Sequence, residues 1–98
     1  MERLFKQVGA KLGQANVYLA LAGMNDEIRL FEQALKLYEE IGDKYSIARC
    51  KCFLGLSHLN AGRKELAVKL LDEALTGWSE INFENGVSLV KQVLSELK

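Results

Sequence analysis

The sequence predicts an all-α fold: antiparallel helix-turn-helix repeats stacked as a short right-handed α-solenoid of about five helices. Three observations carry that expectation. First, a run recurs. Gln33-Ala34-Leu35 with Tyr38, Glu40 and Ile41 is echoed by Glu73-Ala74-Leu75 with Trp78, Glu80 and Ile81, an offset of 40 residues (74 minus 34). The same offset carries Leu30 to Leu70, Glu32 to Asp72, Ile47 to Val87, Lys51 to Lys91 and Leu54 to Leu94. Self-similarity at a period of roughly 20–50 residues marks stacked supersecondary units. Second, the chain has no proline and is rich in Ala, Leu, Lys and Glu, the good helix formers. Third, its apolar residues return every three or four positions, the spacing of one helix face.

The first helix is expected from about Glu2 to Ala22, with Leu4, Val8, Leu12, Ala15, Leu19 and Ala22 on one stripe. Gly9 and Gly13 weaken it by about 0.5–1 kcal/mol each relative to Ala, and Gly23 ends it. The second runs from about Asp26 to Ile41, burying Ile28, Phe31, Leu35, Tyr38 and Ile41 beside Ala34. Gly42 stops it, and Asp43 is placed to cap the third helix, Lys44 to Asn60. That helix has two apolar faces. One is Ile47, Cys50, Leu54, Ser57 and Ala61; the other is Cys52, Leu56 and Leu59. Two faces imply a neighbour on each side, or a neighbour and a site. Gly62 ends this helix. The fourth, Lys64 to Ile81, carries Ala67, Leu70, Leu71, Ala74, Trp78 and Ile81, with Gly77 as an interior blemish. Asn82 takes the place of Gly42 as a left-handed cap. The fifth, Asn85 to Leu97, is striped by Val87, Val90, Val93, Leu94 and Leu97. Short loops make neighbours antiparallel. The organisation is thus one domain, 1–98, of helix pairs 2–41 and 44–81 and a capping helix 85–97.

Composition narrows the function. A hydrophobic fraction of 49% is ample for a core. Thirteen basic residues balance thirteen acidic ones, a net charge of zero. That argues against a nucleic-acid footprint and against a polybasic membrane surface. No apolar run approaches the roughly 18–20 residues of a membrane span. Met1-Glu2-Arg3-Leu4-Phe5-Lys6 lacks the apolar stretch of a secretion signal, so a cytoplasmic location is expected. Two cysteines fit a reducing compartment better than a disulfide scaffold.

Leu54-Gly55, His58, Gly62, Ala67, Leu71 and Ala74 resemble a tetratricopeptide repeat, with Leu-Gly, a ring three residues on, a Gly before the turn, then Ala, a bulky residue and Ala. His58 stands for the pattern's Tyr and Leu71 for its aromatic, while Lys51 departs from its opening Trp. The earlier copy is looser: Tyr18, Phe31 and Ala34 match, Ala15 replaces the Gly and Glu27 the Ala. The period of 40 exceeds the family's usual length of about 34. It is similar to the longer-helix variety of kinesin light chains and bacterial regulators. In that family the first helix of each pair lines the concave side. Carried over, the resemblance implies a groove lined by Leu12, Asn16 and Leu19, then Arg49, Cys52, Leu56 and Leu59, then Leu89, Gln92 and Glu96. Family members that clamp a C-terminal carboxylate use Lys, Arg and Asn there. Leu56 and Cys52 break that scheme, so no carboxylate clamp is expected. A mostly apolar groove suits an amphipathic helix.

Sharper chemistry has a plainer reading at each position. Cys50 and Cys52 lie two apart on a helix and diverge, so they are packing residues rather than a disulfide or metal pair. His58 alone cannot complete a zinc site and reads as core. Glu39-Glu40 is a solvated pair, and Tyr38 and Trp78 are core residues of one repeat position. Asn16 either bonds a peptide backbone or simply faces water, and Arg63-Lys64 reads as a solvated helix start. A bundle enzyme would need a Glu-x-x-His pair or a nucleophile with its base, and neither occurs. The expectation is therefore a non-enzymatic protein–protein interaction module that binds a peptide or partner helix, with no cofactor and no metal. The alternative is a structural module that self-associates into a homodimer or longer stack through the apolar surface, with Leu4, Phe5 and Val8 as further contacts. Gln92, Ser95, Glu96 and Lys98 give the last helix the polar outer face of a C-terminal cap.

Overall fold

The computed structural model describes Asn16, Val17, Leu19 and residues 28–97. These residues are all-helical apart from the turns. Residues 16, 17 and 19 are helical. The continuous part comprises α1 (Ile28–Ile41), α2 (Lys44–Asn60), α3 (Lys64–Glu80) and α4 (Glu84–Leu97). The expected positions Leu4, Phe5, Val8 and Leu12 lie outside the described residues.

One turn design is used three times. Gly42, Gly62 and Asn82 follow one another at intervals of 20 (62 minus 42, 82 minus 62) with φ of 82°, 83° and 58°. Each therefore takes the left-handed conformation that the sequence demands there, asparagine being the residue that tolerates it best after glycine. The next residue closes the turn each time. The N–H of Asp43 donates to the Tyr38 carbonyl (3.2 Å), that of Arg63 to His58 (2.9 Å) and that of Phe83 to Trp78 (2.9 Å). These bonds satisfy carbonyls that the helix end orphans. Asp43 also caps α2 as expected: its Oδ1 accepts from the Ser46 N–H at 3.2 Å and its Oδ2 from the Ser46 hydroxyl at 2.8 Å. The half-repeat is thus one helix plus one turn, and two of them make the 40-residue period.

The recurrence is matched by packing. Phe31 and Leu71, Ala34 and Ala74, Tyr38 and Trp78, Cys50 and Val90, and Leu54 and Leu94 are each pairs 40 apart, and every member is buried. They sort into two clusters. Phe31, Ala34, Tyr38, Cys50 and Leu54 close around Leu19. Ala48, Cys52, Leu71, Ala74, Trp78, Val90 and Leu94 form the second. The two faces of α2 serve different clusters, Cys50 and Leu54 turning towards α1, Ala48 and Cys52 towards α3. Consecutive helices make the main contacts, α2 with α3 most extensively.

That α2–α3 contact is close because glycine makes it so. A Cβ on Gly55 would stand 2.9 Å from Leu71 Cγ and 3.2 Å from the Ala67 carbonyl oxygen. Gly77 is no blemish: a Cβ there would lie 3.2 Å from that of Ala48, so the residue marks a second near approach of the same helices. The helix-propensity cost of glycine, about 1 kcal/mol, is offset by the packing it admits. His58 departs from its expected core role. It is half-buried, and its Nδ1 lies 3.2 Å from Arg63 Nη1, across the α2–α3 turn.

Candidate binding groove

The structure has an aromatic-walled groove of ≈ 280 Å³ between α2 and α4, floored from α3. Its α2 wall is Tyr45, Arg49, Cys52, Phe53 and Leu56; its far side is Phe83, Asn85, Gly86 and Leu89; Trp78 lies beneath. Helical spacing explains the α2 wall, since residues 45, 49, 52 and 56 fall three or four apart. The far wall begins at the turn. Phe83 immediately precedes α4, and its ring meets Tyr45 edge-on at 5.0 Å and Trp78 at 5.5 Å. Tyr45 and Trp78 are 6.3 Å apart. Three rings at such separations each gain from edge and tilt contacts. Trp78, only 4% exposed, donates its indole N–H to the Tyr45 carbonyl at 3.2 Å. The first turn of α2 is thereby tied to the groove floor. On the same wall the Arg49 guanidinium lies 5.6 Å over the Phe53 ring, which in turn stacks on Phe31 at 5.8 Å. The rim is partly open: Leu89 is 50% exposed and Tyr45 39%.

Of the groove positions expected from the repeat pattern, Arg49, Cys52, Leu56 and Leu89 line this one depression. Leu59 is half-buried and Gln92 and Glu96 are exposed, all three outside the lining. Leu19 and Asn16 have contacts that the repeat pattern does not announce. Leu19 is buried and packs in the first core cluster with Tyr38 and Cys50. Asn16 offers its side-chain oxygen to the Tyr38 hydroxyl. A buried phenol needs an acceptor, and exposed Asn16 supplies it. Tyr45, Phe53, Phe83, Asn85 and Gly86 are lining residues that sequence reasoning missed. The spacing of Tyr45 to Arg49 was a usable signal. Phe83 and Gly86 had none, since their contact with Trp78 depends on how α4 crosses α3.

A larger depression of ≈ 390 Å³ lies between α2 and α3 and shares no lining residue with the groove. Lys44, Lys51, Asp72, Glu73 and Glu80 line it, and Lys51 pairs with Glu73 at 3.5 Å. Exposed pairs of this kind contribute little, under about 1 kcal/mol. Its charges are mixed and solvated, whereas the groove is aromatic and nearly free of charge. The groove is the better candidate on that chemistry.

Neither cysteine is poised for reaction. Both are free and buried. Burial pushes the Cys50 thiol up to about 12, against a lowering by Arg49, and burial likewise raises Cys52. An unfolded thiol loses its proton near 9.0, so between there and about 12 the folded chain holds the extra proton. Stability contributed by Cys50 is therefore full below the lower value and is lost as pH rises through that window. The melting temperature is expected to fall from about pH 8 to about pH 11 more steeply in the wild type than in Cys50→Ala. Parallel curves would contradict this.

Among the described residues no group of three or more His, Cys, Asp or Glu side chains is placed to hold a metal ion, and no helix is long and apolar enough to cross a membrane. No protein-family model, no curated protein and no solved structure matches the chain.

Proposed function

We propose that this chain is a tetratricopeptide-like interaction module, a short right-handed α-solenoid that holds an amphipathic helix of a partner protein in the α2–α4 groove. The reading is supported above all by one observation: exposed Leu89 of α4 and half-buried Leu56 of α2 line one groove walled by aromatic rings, with Trp78 beneath. Buried apolar anchors ringed by aromatic residues are the usual energetic centre of a protein interface. The lining argues for binding over catalysis. Arg49 is always charged, the thiol of Cys52 is held protonated by burial, and neither serves as a base. The repeat architecture points the same way, since stacked helix pairs offer an extended concave surface. A cytoplasmic setting agrees with two unpaired buried cysteines.

Selection from a displayed library of helical peptides tests this. Peptides with apolar residues at i, i+3 or i+4, and i+7 are expected to be enriched on the wild type. Leu56→Glu is expected to weaken the best of them at least about tenfold, roughly 1.4 kcal/mol, with helicity by circular dichroism unchanged. Equal binding to both proteins would sink the proposal. A loss of helicity would show instead that Leu56 is a core residue.

A further inference from the structure

The groove carries a single fixed charge. Of its ten lining residues only Arg49 is ionic. The acidic residues of α4, Glu84 and Glu96, are exposed and outside the lining. The Arg49 guanidinium lies over the face of the Phe53 ring, its carbon 5.6 Å from the ring centroid. A guanidinium held by its face keeps its N–H donors at the edge available for a planar, two-point partner, the shape of a carboxylate. The ring contact also restrains the side chain in advance, which lowers the ordering cost of binding. Asn85, across the groove on α4, adds a carboxamide that can donate to the same ligand. Leu56, two turns further along α2, and Leu89, one turn further along α4, add apolar surface to the same groove.

From this arrangement we infer that the occupant is an acidic amphipathic helix of another protein: an apolar stripe interrupted by one Asp or Glu side chain that meets Arg49. The inference rests on the groove reading above and adds the sign of the partner's charge. It differs from capture of a chain terminus, because the carboxylate belongs to a side chain on the apolar face of the helix.

The test is a selection on three proteins, wild type, Arg49→Glu and Leu56→Glu, from one library of helical peptides with fixed apolar positions and randomised intervening ones. The wild-type pool should be enriched in Asp and Glu over the input beside the anchors. The Arg49→Glu pool should lose that enrichment and gain Lys or Arg. A peptide from the wild-type pool should bind about tenfold more weakly when its acidic residue is changed to the amide. If the wild-type and Arg49→Glu pools share apolar anchors but have the same charge composition, the inference falls and the groove reading stands. If neither pool binds above the Leu56→Glu background, the groove reading fails and takes the inference with it.

Discussion

Trp78→Ala is expected to remove about 3–5 kcal/mol of folding stability, the cost of emptying a large buried aromatic site. Whole domains are stable by only about 5–15 kcal/mol, so this variant should be close to unfolded at room temperature. The reason lies in how many elements meet on one ring. Trp78 belongs to α3, packs with Val90 and Leu94 of α4 in the second cluster, and donates to the Tyr45 carbonyl at the start of α2. Its removal opens a cavity and leaves that carbonyl without its indole donor. Urea denaturation followed by circular dichroism measures the loss. A change below about 1 kcal/mol would mean that the aromatic cluster is not a structural keystone.

Gly86→Ser is the second large effect, and its sign runs against helix propensity. Serine forms helices better than glycine by a few tenths of a kcal/mol or more, and Gly86 lies within α4. A Cβ at residue 86, however, would overlap the Trp78 ring and come within 2.7 Å of Phe83 Cδ1. Overpacking of this kind costs about 1–3 kcal/mol, so sterics win and the variant should be less stable. The repeat explains why glycine is there. Forty residues earlier the same two positions are Tyr38 and Ser46, and both are buried. Where tyrosine gives way to the larger tryptophan, serine gives way to glycine. Trp78→Tyr should therefore recover part of the stability lost in Gly86→Ser, a coupling that independent sites do not show. Purely additive losses in the double variant would contradict the exchange.

What the sequence made legible is what depends on local rules. Gly42, Gly62 and Asn82 punctuate the helices because a left-handed turn residue admits few alternatives, and all three adopt it. The two-faced pattern of α2 anticipated a helix with neighbours on both sides. Cys52 and Leu56 were named as groove residues through the resemblance to the repeat family, and both line the depression. The rest depended on contacts far apart in sequence. Asn16 meets Tyr38 over 22 residues, which no periodicity announces. Phe83, a turn residue by pattern, is a groove wall because it folds back on Trp78 and Tyr45. Gly77 breaks the helix pattern in sequence, and the close approach to Ala48 that it admits is set by how α2 crosses α3.

A groove open to a partner and a groove closed by a second copy of this chain make different predictions for the size of the particle in solution. Light scattering over a wide concentration range decides between them. A concentration-independent mass of 11.0 kDa, unchanged by Leu89→Glu, is expected. A dimer that falls to a monomer in Leu89→Glu would contradict it, since the surface assigned to a partner helix would then be the chain's own interface.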